Sequence, residues 1–175
     1  MDAKTLAEQG KQEYEKGAYG IAADLFSQAA QAYGNVQDEL NAAEMKNNRS
    51  VALLREGKAE DALHATDGTE AVFQKAGDLK RQGIAVANRA AALERLKKYS
   101  EAMDEYNRAA VFFEEAGEGD MHSMVRKATA EIFLKRGYIG NTQVDMLDSL
   151  RLVEKPTFTQ RILKFLMRWG FFKPQ

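Results

Sequence analysis

The chain has 175 residues, 45% of them apolar and 29% charged, so it can build a continuous core and is too apolar to remain disordered. It contains no cysteine, which excludes disulfides, thiolate metal sites and cysteine nucleophiles. A net charge of −1 and a pI of about 6.2 supply no general affinity for nucleic acid, and none is expected as a partner.

Prolines occur only at Pro156 and Pro174, so the first 155 residues carry no proline break and read as nearly all helix. The opening MDAKTLAEQGKQEYEKG is polar and lacks the apolar core of a secretory signal. No run of about 18 apolar residues exists to span a bilayer. The expected location is therefore cytoplasmic, with peripheral contact to a membrane as the variant.

From residue 17 to residue 153 the sequence falls into step every 40 residues without insertion or deletion. Gly17, Gly57, Lys97 and Gly137 share one column, Tyr19, Ala59, Tyr99 and Ile139 a second, and Ala22, Ala62, Ala102 and Thr142 a third. Tyr33, Phe73, Phe113 and Val153 align further along. A period of this length with helical spacing on both sides of a short turn implies stacked helix pairs. The units fall at about 3–37, 38–77, 78–117 and 118–155, forming a repeat domain over 1–155 and leaving 156–175 as a separate segment.

In the second unit the expected helices run from Glu39 to Glu56 and from Ala59 to Lys75. Asp67-Gly68 lies inside the latter, and since the register is unbroken it reads as a weak point in a continuous helix. Small residues recur at Gly10, Ser50, Ala90 and Ala130, with bulky ones at Leu53, Leu93 and Phe133 and at Phe26, Tyr106 and Met146. Small against large at fixed spacing lets neighbouring helices interlock. The aromatic column Tyr33, Phe73 and Phe113 is expected to bridge from one unit to the next. Glycine at the turn column fits a left-handed helix terminus; Lys97 either accepts that strain or marks a different turn.

Leu6, Gly10, Gly17, Tyr19, Ala22, Phe26 and Ala29 in the first unit, with Ala90, Leu93, Tyr99, Ala102, Tyr106 and Ala109 in the third, form a pattern that resembles the tetratricopeptide repeat over residues 3–155. That family's usual unit has 34 residues. The 40-residue period and the stretch AADLFSQAAQAY resemble the long-period variants that serve as soluble adaptors of membrane-fusion machinery. The resemblance implies an all-α, right-handed α-solenoid of four helix pairs, the fourth adapted to end the stack.

Candidate partner residues follow the same columns. Asn48 and Asn88 recur at one position; in one branch of the family the residue there helps clamp a peptide carboxylate. The other clamp positions fall on Ala7, Lys11, Ile84 and Asn88, so that clamp is not expected, and buried amides commonly serve only as hydrogen-bond partners. Arg55, Arg95 and Lys135 form a basic ladder that, by the resemblance, faces the concave groove and suits an acidic or phosphorylated peptide. The plainer reading is a solvated stripe paired with Glu56 and Glu94.

His64 and His122 are the only histidines and lie outside any metal-ligand spacing. With no phosphate-binding loop or nucleophile elbow either, neither enzyme activity, cofactor nor metal is expected.

Residues 156–175 carry Arg161, Lys164, Arg168 and Lys173 and no acidic residue. Pro156 ends the array, and Phe158, Ile162, Phe165, Leu166, Trp169 and Phe172 fall on one face of an expected amphipathic helix over 157–173. Such a helix suits a cap on the last unit, an anionic membrane surface, or a groove on a neighbouring subunit. The functional expectation is a protein–protein interaction adaptor or assembly scaffold holding a peptide or helix in its groove. The alternatives are a peripheral membrane component anchored by the tail, and a self-assembling homo-oligomer.

Overall fold

The computed structural model describes residues 1–135, all of whose regular structure is helical. The elements are α1 (Ala3–Glu15), α2 (Tyr19–Asn35), α3 (Glu39–Glu56), α4 (Ala59–Ala65), α5 (Thr69–Lys75), α6 (Leu79–Arg95), α7 (Tyr99–Glu115) and α8 (Gly119–Lys135). Met1–Thr129 forms one compact unit, and the end of α8 from residue 130 onward belongs to a second. Sequence expectations that fall on residues 136–175, including the tail helix, lie outside the described residues.

Six turns within Met1–Thr129 share one construction. The backbone enters the left-handed region at Gly17, Gln37, Gly57, Gly77, Lys97 and Gly117, a spacing of 20 residues, with φ between 60° and 92°. At each, two amides reach back to the helix just ended. In the third unit Lys97 N donates to Glu94 O and Lys98 N to Leu93 O, both at 2.9 Å. The pattern closes otherwise unsatisfied carbonyls at a helix C-terminus. Lys97 therefore adopts the glycine conformation rather than a different turn. A second left-handed column, Gln37, Gly77 and Gly117, closes the turns between units. At the first two of these the next helix is capped by a carboxylate: Asp38 accepts from Asn41 N at 3.1 Å and Asp78 from Arg81 N at 2.8 Å.

The chain packs as antiparallel neighbours, α1 on α2, α2 on α3 and α6 on α7, with α3 also meeting α6. Small-against-large packing is present at both ends of these pairs. A Cβ on Gly10 would lie 2.8 Å from Phe26 Cε1, and one on Gly83 would lie 2.8 Å from Phe113 Cε1. Ala22, Ala62 and Ala102 are wholly buried, so their column marks the closest approach of the second helices. Phe73 clusters with Ala43 of its own unit and Ala85 of the next, as its bridging position requires.

One expectation is corrected. The helix from Ala59 to Lys75 has the expected ends but is interrupted: α4 stops at Ala65, Gly68 takes φ +74°, and α5 starts at Thr69. Threonine hydroxyls compete for the carbonyls a continuous helix needs, with Thr66 Oγ1 donating to Leu63 O at 2.7 Å and Thr69 Oγ1 to Thr66 O at 2.8 Å. Glycine then supplies the turn.

Candidate functional site

The asparagine and arginine columns lie on the first helices of successive units. Asn48, Val51 and Arg55 follow one another at helical spacing along α3, as Asn88, Ala91 and Arg95 do along α6. Asn48 lines a hollow of about 250 Å³ together with Lys11, Tyr14, Glu15, Phe26 and Val51, contributed by α1, α2 and α3. Tyr14, Phe26 and Val51 make its wall apolar, while Lys11, Glu15 and the Asn48 amide supply its polar edge. Close packing at Gly10 sets the depth, because the Phe26 ring sits directly against that glycine.

Arg55 adjoins this hollow. It donates a hydrogen bond to the Tyr14 side chain, which raises its pKa above the ordinary guanidinium value. Tyr14 in turn meets Tyr19 edge to face, with ring centroids 5.2 Å apart. Arg55 is thus an exposed cation beside Tyr14, which lines the hollow. Glu56, its expected neighbour in a solvated stripe, pairs instead with Lys58 at 3.0 Å.

The remaining candidates separate. Arg95 lines a different hollow of about 400 Å³, against the turn Gly57–Lys58–Ala59 with Glu60, Asp61 and Leu96. Its expected partner Glu94 accepts a hydrogen bond from the Tyr106 hydroxyl at 3.2 Å. Asn88 is half-buried on α6 and lines neither hollow. Lys135 is the last residue of α8, and its side chain lies outside the described residues. So do Phe158, Arg161, Ile162, Lys164, Phe165, Leu166, Arg168, Trp169 and Phe172. The structure joins Asn48 and Arg55 through Tyr14 and gives Arg95 separate surroundings.

A larger cleft, about 430 Å³, went unnoticed in the sequence. It opens beside the interrupted helix, with Thr66, Thr69 and Glu70 on one wall, Ala85, Val86 and Arg89 of α6 below, and Glu105 and Arg108 of α7 opposite. A chain of ion pairs rims it. Arg89 meets Asp67 and Glu105 at 3.5 Å, and Arg108 meets Glu105 at 2.6 Å and Glu70 at 2.5 Å. The signal was present in the columns: Thr66 stands where Phe26 and Tyr106 stand, and Glu70 where Ala30 and Ala110 stand.

Among the described residues no group of His, Cys, Asp and Glu is placed to hold a metal, and no helix is long and apolar enough to cross a membrane. The chain matches no protein-family model. No curated protein matches it either.

Proposed function

We propose that this chain is a tetratricopeptide-like adaptor that binds a segment of a protein partner across the first helices of its repeats. The observation that carries the reading is the hollow between α1 and α3, apolar in its wall and flanked by the Arg55 cation. It would take a large apolar side chain against Tyr14, Phe26 and Val51. The Asn48 amide offers a donor and an acceptor to the peptide backbone, and Arg55 a charge-assisted contact to a neighbouring carboxylate or phosphate. The partner class is a short segment pairing a bulky apolar residue with an acidic one. Burial of a single such side chain contributes about 1.5–3 kcal/mol, so useful affinity requires further contacts beyond this hollow.

Selection of peptides from a random library on the intact protein tests the reading. Enriched sequences should carry an aromatic or large aliphatic residue next to an acidic one. Val51→Trp, which fills the hollow, should abolish their binding and leave the melting temperature nearly unchanged. Replacing Arg55, Arg95 and Lys135 together with glutamine should weaken binding and flatten its salt dependence. Peptides that bind parent and Val51→Trp equally would refute the assignment.

A further inference from the structure

We infer that α5 is held in place by an ionic latch, so that the second half of the second repeat opens, and Phe73 becomes exposed, as ionic strength rises. Four observations converge on this stretch. Its helix is interrupted at Thr66–Gly68, whereas α2 and α7, at the same place in their units, are continuous.

Next, the five buried polar residues among those described are Asn47, Ser50, Thr66, Thr69 and Gln82, and all surround that interruption. Ser50 Oγ donates to Ala62 O at 2.8 Å, and Ala43 clusters with Phe73. These two contacts bracket Asn47 on α3 and place it across from residues 66–69. Asn47 Oδ1 is buried without a hydrogen-bond partner. The interface between α3 and the interrupted helix is therefore a polar seam in an otherwise apolar core. Such a seam is where local opening is least opposed.

The third observation is how little else holds α5. It has seven residues, of which Thr69 and Phe73 are buried. Apart from the packing of Phe73 against Ala43 and Ala85, its attachments to later helices run through Glu70, which pairs with Arg108 and accepts from Gln82 Nε2 at 3.4 Å. Asp67, in the preceding turn, adds the contact with Arg89. Arg108 and Arg89 are 48% and 41% exposed, so these pairs lie within reach of salt. The fourth is Phe73 itself, the fully buried aromatic of α5, with the Arg81 guanidinium 5.4 Å from its ring centroid. Release of α5 uncovers an aromatic flanked by a cation.

The repeat supplies its own control. The amides of Gly77 and Asp78 close the end of α5 with the same bonds that Gln37 and Asp38 make at the end of α2. Hydrogen exchange on the full chain should show the first set exchanging at least about tenfold faster than the second. That ratio should grow between about 0.05 M and 1 M NaCl, where the screening length falls severalfold. Arg108→Gln should reproduce the high-salt pattern at low salt while α1 and α2 stay protected. Equal protection at the two turns would overturn the inference. So would a fast turn at residue 77 that neither salt nor Arg108→Gln alters, because that pattern describes ordinary fraying.

Discussion

Lys97→Gly isolates the cost of a side chain in the left-handed turn. Lys97 sits at φ +60° with both closing bonds formed, so its backbone is fixed by the same interactions that hold Gly57 at φ +92°. The left-handed conformation costs a residue with a Cβ about 1–2 kcal/mol. Glycine gives back part of this gain, because its unfolded chain has more freedom to lose, about 0.4–1 kcal/mol. Lys97 is exposed, and no ion pair holds it among the described residues, so no packing offsets the balance. The net expectation is a stabilisation of up to about 1 kcal/mol, read as a rise in the urea midpoint at constant slope. In a chain of this size that corresponds to about 2–4 °C in Tm. Gln37→Gly should act alike, and the two should add, since the turns share no partner. A fall in midpoint for either would show that the side chain makes a contact worth more than the strain.

Asp78→Ala should cost about 1 kcal/mol by removing the cap on α6. The Arg81 amide and then its side chain hold the Asp78 carboxyl below the ordinary value of 3.8, so the cap stabilises above that pH. Its contribution fades as the carboxylate protonates on further acidification, and parent and variant should converge there in pH-dependent unfolding. Gly83→Val should destabilise by about 1–3 kcal/mol, because the new Cβ meets the immobile Phe113 ring; a double-mutant cycle with Phe113→Leu should recover part of the loss. Asn47→Leu should raise stability by about 1 kcal/mol in chemical denaturation, since it removes a buried carbonyl oxygen that has no partner.

The column at residues 17, 57 and 97 was legible because all three positions must satisfy one backbone geometry, and glycine at two of them reveals it. The matching column at 37, 77 and 117 was equally regular but escaped notice: Gln37 masks it, and Gly77 and Gly117 lie between units rather than within them. The ends of α3 and of the 59–75 stretch followed from the period alone. The break at Thr66–Gly68 did not, because an intact register fits a continuous and an interrupted helix equally. A three-residue turn that returns to helix leaves the 40-residue count unchanged, so periodicity is blind to it. Of the candidate site, Asn48 and Arg55 were reachable from their columns. Their link through Tyr14 was not, since it depends on which side chains meet across two helices 40 residues apart in sequence. The cleft between α5 and α7 depends on the same kind of meeting.

The second unit departs from its neighbours at a connected set of positions, which raises the question of whether local sequence or tertiary packing breaks its helix. In the first unit Gly10 makes room for the Phe26 ring. In the second, Ser50 and Thr66 hold those two columns, and Ser50 spends its hydroxyl on Ala62 O. The polar pair thus replaces the small-against-aromatic pair and donates hydroxyl hydrogen bonds to backbone carbonyls at the break. Transplanting the first unit's choices tests the causal order. Residues 66–70, TDGTE, become FSQAA from positions 26–30, and Ser50 becomes glycine to admit the ring. Removing the helix-interior glycine alone gains about 0.5–1 kcal/mol of helix propensity, and the lost surface pairs at Asp67 and Glu70 cost about 0–1 kcal/mol each. If local sequence decides, the amides of residues 66–69 become as protected as those of 26–29, and the salt-sensitive exchange at Gly77 and Asp78 disappears. If these amides remain fast while the rest of the chain stays folded, packing against α3 and α6 imposes the break. Asn47, the one polar member of the seam on α3 left in place by the transplant, is then the residue to change next.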